Sequence, residues 1–404
     1  MQHTIIEKIF LAHGAESARP GDTVWIALDY RTARDFGGAS VVQHLRESFP
    51  DKPVADTGRT MFTFDCNAPA NTAGYADNQH ACRLFAREHG VKVHDVEAGI
   101  GSHLLLESGL IQPGTTAVGT DSHYNILGAA GAFGQGMGDM DIAFAFAHGK
   151  TWFTVPESVK LTLTGIPAAN ASAKDVTLYV VGQLGAAGLL GQVAEVYGAW
   201  VEQADLAQRI TLASMGTEMG AISLVIPGAD PAFHADAAAD YAREIELDIS
   251  GLCPQAALPG NPDKVKPIRE IVSGGSVPID TVFIGSCTNG RIEDMRAAAE
   301  ILRGRKIANG LTAKVVPATR QVWSECLSEG LLELFVNAGA LVSNPGCGGC
   351  ASGQIGMTGE HEVQFSTSNR NFRGKQGKGD TYLVSPATAA ASALAGELVE
   401  PQAI

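Results

Sequence analysis

Short apolar runs alternate with helical stretches along most of the 404 residues, and this alternation constrains the fold more than any other feature. The runs at 23–28, 116–119, 158–163, 222–226, 281–284, 313–316 and 339–342 read as strands, and the segments between them carry helical periodicity. Strands separated by helices predict an α/β fold, with parallel or mixed sheets flanked by helices. Aromatic residues make up only 6% of the chain against 47 glycines, so the layers must pack through small side chains. One core rarely suffices at this length, and two seams divide the chain. A compact Gly-rich segment ends near 155–156, and a Gly/Ser/Pro stretch at 273–280 precedes a new strand. Three domains are expected: 1–155, 156–272 and 273–404. The Ala/Asp-rich segment at 233–241 reads as a helix, and Thr4 followed by Glu7 as a capping box opening a short N-terminal helix.

The charge narrows the partners. A formal net charge of −14 repels phosphate backbones and anionic lipid over most of the surface, which argues against nucleic acid or membrane as the main partner. No segment is apolar enough to span a bilayer, and the N-terminal run contains Glu7 and Lys8 without a small-residue cleavage site. The seven cysteines are an odd set in a long chain, unlike a secreted disulfide framework. A cytoplasmic location with reduced thiols is expected.

The cysteine spacing carries the chemistry. Cys347 and Cys350 form a C-x-x-C within the glycine-rich loop 344–350, and Cys287 follows a strand in Gly285-Ser286-Cys287-Thr288-Asn289. A C-x-x-C alone reads as a redox pair, half of a zinc site or part of an iron–sulfur site. A redox pair needs no third cysteine, and a structural zinc site wants four ligands where no second close pair exists. Three thiolates from two loops suit a [4Fe–4S] cluster whose fourth iron stays open to substrate. Cys82, Cys253 and Cys326 read as small buried hydrophobes.

Four motifs in order, Gly119-Thr120-Asp121-Ser122-His123, Gly285–Asn289, Asn344–Cys350 and Ser366-Thr367-Ser368-Asn369-Arg370-Asn371-Phe372, resemble the aconitase superfamily. Their spacing most resembles the large subunits of 3-isopropylmalate dehydratase and homoaconitase, over essentially the whole chain. The resemblance implies a three-domain hydro-lyase with a [4Fe–4S] cluster at the domain interface, held by Cys287, Cys347 and Cys350. Its open iron would take a small hydroxy-dicarboxylic or tricarboxylic acid and polarise the C–OH bond. It also implies carboxylate–histidine pairs of Asp121 with His103 and Glu218 with His123, and a substrate carboxylate held by Arg370. Asp121, Ser122 and His123 share a Gly-flanked turn that can approach a ligand closely, and Asn289 is expected to support cluster or substrate.

Three positions depart from the resemblance. Asp65-Cys66 stands where an Asp-His pair is expected, Lys375 where an arginine is expected, and Ser214 where an asparagine is common. A thiol reaches less far than an imidazole, and a lysine cannot offer the planar fork of an arginine. These changes point to a substrate other than 3-isopropylmalate, such as citramalate, dimethylmalate, maleate or a homocitrate-type acid, or to a weakened activity. The resemblance also ends where two-chain members end their large subunit. A small-subunit partner is therefore expected to bring the swivelling domain with its catalytic serine. A cluster-sensing RNA-binding regulator is the rival from another class, and the acidic charge disfavours it.

Overall fold

The computed structural model describes residues 2–350 and 354–402. Three sheets organise the chain. The first is wholly parallel, in the spatial order Lys92–His94, Thr60–Thr63, Tyr30–Arg34, Thr116–Gly119, Phe133–Gly136. Thr60–Thr63 and Thr116–Gly119 are buried at every position, as expected of central strands covered by helices on both faces. Helices Gly38–Ser48, Ala73–His89 and Asp139–His148 contribute to one core with Phe62, Phe64 and Val118. Cys82 belongs to that core: a Cβ built on Gly38 would lie 2.7 Å from its sulfur, so the helices meet through a residue without a side chain.

The second sheet is a parallel four-strand array, Ser223–Val225, Val193–Tyr197, Ser158–Thr164, Arg243–Asp248. The third has seven strands, in which five parallel ones (Asp380–Leu383, Val363–Ser366, Thr281–Ile284, Thr312–Val315, Leu341–Val342) are extended at one edge by the antiparallel pair Gln255–Ala257 and Val265–Pro267. That pair precedes residue 273, so the third sheet recruits chain from before the expected seam. A separate ribbon pairs Thr23–Ala27 with Lys150–Thr154.

All the strands expected from the apolar runs are present, within one or two residues at most ends. The capping box is also formed, the Thr4 amide donating to Glu7 Oε2 at 2.9 Å. The expected helix at 233–241 is not formed; only a 3₁₀ turn at Pro231–Phe233 is. Its polar groups are spent elsewhere. Asp236 accepts from the His3 amide and from Lys8, and the Ala238 amide donates to Gln2, which ties the segment to the N-terminus at the expense of helical bonds. Among the described residues no helix is long and apolar enough to cross a membrane.

The topology places chemistry where α/β sheets usually hold it, beyond the carboxyl ends of parallel strands. Arg34, Asp65 and Asp121 end or follow strands of the first sheet; Cys287, Cys347 and Arg370 follow strands of the third. The two sets are joined by the Cys347 amide donating to the Asp65 carbonyl (2.9 Å) and the Ile100 amide to the Ala318 carbonyl (2.9 Å).

Candidate active site

A cavity of about 310 Å³ opens between these strand ends. Cys287, Cys347, Cys350, Cys66, Asp121, Ser122, His123, Arg370 and Lys375 all line it, together with Arg34, Phe36, Tyr75 and Thr120. Ser286 sits at φ 79°, a left-handed conformation rare for a residue with a side chain, and the sharp turn delivers Cys287. Cys347 and Cys350 come from a loop whose Gly346 and Gly348 also have positive φ.

His123 Nε2 stands 3.0 Å from Glu218 Oε1, and the same oxygen accepts from Arg370 Nε at 2.8 Å. Arg370 Nη1 also donates to Ser122 Oγ at 3.2 Å, so Glu218, His123, Arg370 and Ser122 form one unit. A carboxylate only accepts, so Nε2 of His123 carries the proton and Nδ1, 3.4 Å from Ser122 Oγ, is left as an acceptor.

The second expected pair is not made. His103 donates from Nε2 to the Cys287 carbonyl at 2.9 Å, and its buried Nδ1 has no partner among the described residues. Burial and the nearby Arg291 push His103 down to about 3, so it is a neutral ring propping the Cys287 turn. Asp121 instead accepts from Arg34 Nη1 at 2.9 Å and from the His123 amide at 3.0 Å. Burial works against its charge, but Arg34 and His123 outweigh it and hold Asp121 below the usual carboxylate range. Asn289 also points elsewhere: its amide donates to Thr211 Oγ1 and Asp294 Oδ1, bracing the loop behind the cavity. Ser214 bonds Thr211 and Thr288 in the same support.

Three residues beyond the sequence expectations act at the site. Arg34 reaches Asp65 Oδ1 (2.6 Å), Asp121 Oδ1 (2.9 Å) and Cys347 Sγ (2.7 Å). Asn369 donates to Cys287 Sγ at 3.1 Å and meets Cys350 Sγ through Oδ1 at 3.4 Å. Lys174, wholly buried, donates to the Thr367 and Ser368 carbonyls at 3.0 and 2.7 Å and so pins the loop carrying Asn369 and Arg370. Asn369 lies inside a motif singled out above; Arg34 and Lys174 stand in an ordinary strand and helix that give no such signal.

Asp65 is pushed up to about 6 by burial and by neighbouring carboxylates, against Arg34. Burial also pushes the Cys66 thiol well up, and its sulfur lies 3.6 Å from Asp65 Oδ1. Asp35, Asp65 and Cys66 hold their ligand atoms within 4.8 Å of one another, a spacing a metal could use. The Asp35 oxygens, however, are taken by the amides of Asp65, Cys66 and Asn67 and by Gln79, so Asp35 braces the turn.

The cysteine set fits a sulfur-ligated metal group. Burial pushes Cys287 and Cys347 up, and a thiolate at either needs a cation to offset its charge, which a metal supplies. Asn369 and Arg34 meanwhile offer N–H donors to the sulfurs.

The sequence profile described as Aconitase family (aconitate hydratase) matches residues 7–234 and 228–396. The chain belongs to the aconitase family. Its relatives in that family include the 3-isopropylmalate dehydratase large subunit 1 of Methanopyrus kandleri, 39% identical over 100% of this chain and 99% of that one. The homoaconitase large subunit of Thermus thermophilus is 41% identical over 100% of this chain and 98% of its own length. Among solved structures, the crystal structure of Thermococcus kodakaraensis aconitase X (holo-form) is similar with a TM-score of 0.54, covering 91% of this chain and 89% of that one. At 14% identity that likeness speaks for the fold, an aconitase-type α/β architecture.

Proposed function

We propose that this chain is the large subunit of a two-subunit hydro-lyase that removes and adds water on a small hydroxy-dicarboxylic or tricarboxylic acid. The observation that carries the reading is one cavity lined by three cysteines beside the Arg370–Glu218–His123 unit. A [4Fe–4S] cluster on Cys287, Cys347 and Cys350, when bound, supplies an iron lacking a cysteine that acts as a Lewis acid on the substrate hydroxyl. The chain's own residues do the rest. Arg370, held by Glu218, offers its remaining N–H groups to a substrate carboxylate, and Lys375 adds a second cation. Of the cations lining the cavity among the described residues, Arg34 is already paired with Asp65 and Asp121 and Arg370 with Glu218, so Lys375 is the one left to attract an anionic substrate. His123 holds its Nε2 proton on Glu218 and can take or give a proton at Nδ1. The large-subunit naming of the relatives supports a small-subunit partner that completes the site.

Cys66 and Lys375 favour a substrate whose carboxylates are placed differently from those of 3-isopropylmalate. The test is to reconstitute the chain with its small subunit anaerobically, assay iron and sulfide, and compare kcat/KM for citramalate, 2,3-dimethylmalate, maleate, homocitrate and 3-isopropylmalate. A lead of about tenfold or more for 3-isopropylmalate, about 1.4 kcal/mol, refutes the altered-substrate reading. Turnover of none of them refutes the hydro-lyase reading for this acid class.

A further inference from the structure

We infer that Arg34 is a positioning residue for the Cys347 sulfur, fixing that ligand and raising the reduction potential of the cluster it helps to hold. The inference rests on the cluster reading above. Its basis is geometric. Three nitrogens of one guanidinium are spent in three directions: Nε on Asp65, Nη1 on Asp121 and Nη2 on Cys347 Sγ. Each partner is itself held. The Gly101 amide donates to Asp65 Oδ2 at 2.9 Å, the His123 amide donates to Asp121, and the Cys347 amide donates to the Asp65 carbonyl. Arg34 ends strand Tyr30–Arg34, and its own amide is fixed to Thr120 Oγ1 at 2.9 Å. With a side chain only 13% exposed, the guanidinium has little room to turn.

The charge is secure as well. Two carboxylates, Asp65 and Asp121, stand in direct contact with the guanidinium and offset its charge. An N–H donor and a fixed positive charge at a ligating sulfur both favour the more reduced, more negative state of an iron–sulfur group. Lysine cannot reproduce this, because its single nitrogen cannot reach along three fixed directions at once. The arrangement also bears on Cys66. Its sulfur lies beside the Asp65 oxygen that Arg34 already occupies, so an imidazole at this position would compete with the guanidinium for one acceptor.

The experiment compares wild type, Arg34→Lys and Arg34→Gln, each reconstituted anaerobically with the small subunit, with folding checked by circular dichroism and melting. The midpoint potential is read by electron paramagnetic resonance during a reductive titration. Iron release is then timed after addition of ferricyanide: the [4Fe–4S]²⁺ state gives one electron to ferricyanide and loses one Fe²⁺, leaving [3Fe–4S]⁺. Both variants should have a more negative potential than wild type, Arg34→Gln the lower of the two. Iron release should be faster by about tenfold in Arg34→Gln, the scale expected for loss of a hydrogen bond from a charged donor. Should Arg34→Gln fail to fold, Arg34→Lys carries the comparison, since it keeps the buried charge. A folded variant that takes up the cluster with wild-type potential and release rate overturns the role of Arg34 alone. Wild-type protein that takes up no iron and sulfide overturns the cluster reading and this inference with it.

Discussion

Glu218→Gln isolates the element on which the proposed chemistry turns. Glu218 is 3% exposed, and Oε1 alone receives both the His123 Nε2 proton and Arg370 Nε, because Oε2 has no partner among the described residues. The substitution keeps an acceptor of similar shape and removes the charge. A hydrogen bond to an ionised group is worth about 1.5–3 kcal/mol and a neutral one about 0.5–1.5 kcal/mol. Two such bonds weakened together therefore lose about 2–3 kcal/mol of orienting energy. If the orientation of His123 and Arg370 matters in the transition state, kcat/KM should fall about 10²-fold, at about 1.4 kcal/mol per decade. The assay follows the unsaturated acid by its ultraviolet absorbance in the reconstituted enzyme, with iron content measured in parallel to show that the cysteines are still loaded. Activity within about threefold of wild type, under 1 kcal/mol, would mean that Glu218 is only a packing partner and that Arg370 needs no anchor.

Lys174→Met keeps the bulk of a side chain whose charge burial has already weakened, drawing it down to about 8, but strips both bonds to the Thr367 and Ser368 carbonyls. At about 1–3 kcal/mol for each buried acceptor left unpaired, melting should fall and KM should rise as the Arg370 loop loosens; an unchanged KM would confine Lys174 to stability. The His13–Asp29 contact (2.8 Å) gives a pH signature. Burial opposes both charges, but their mutual bond outweighs it, raising His13 above 6.5 and lowering Asp29 from 3.8 to about 2. The His13 contribution is full below about 6.5 and fades as pH rises, whereas that of Asp29 is full above about 3.8 and fades as pH falls, so the pair helps most between the two. His13→Gln should therefore lower the melting temperature more at pH 5.5 than at pH 8, and an equal loss at both would show that the pair is not ionic.

Local pattern made much of this molecule readable. Each strand expected from an apolar run is formed, because a short apolar stretch bounded by turn residues is what a strand buried in a helix-covered sheet requires. The helix expected at 233–241 is not formed because Asp236 and the Ala238 amide bond to His3 and Gln2 at the N-terminus, over 230 residues away, which no window of neighbours reveals. The site divides in the same way. Cys287, Cys347, Cys350 and His123 stand in motifs with chemical character of their own, whereas Glu218 is expected only through the resemblance. Arg34 lies in Tyr30-Arg31-Thr32-Ala33-Arg34-Asp35, where two arginines occupy one strand and the sequence does not say which faces the cavity. His103 is expected to pair with Asp121, but its ring bonds the Cys287 carbonyl while Asp121 bonds Arg34, a difference that lies in tertiary contacts.

The bond from Arg34 to Cys347 spans 313 residues, and that separation is also an interval of time. A ribosome adding about 5–20 residues each second takes roughly 15–60 s to travel between them. Arg34, Asp65 and Asp121 belong to the early part of the chain and can settle with one another as soon as the first sheet closes. The nascent protein would thus present a neutralised, preset clasp long before its last cysteines emerge. Those thiols would then meet a finished receptor at the moment of their synthesis, and metal loading would be a late event, after the long wait in which the early half has to stay folded without them.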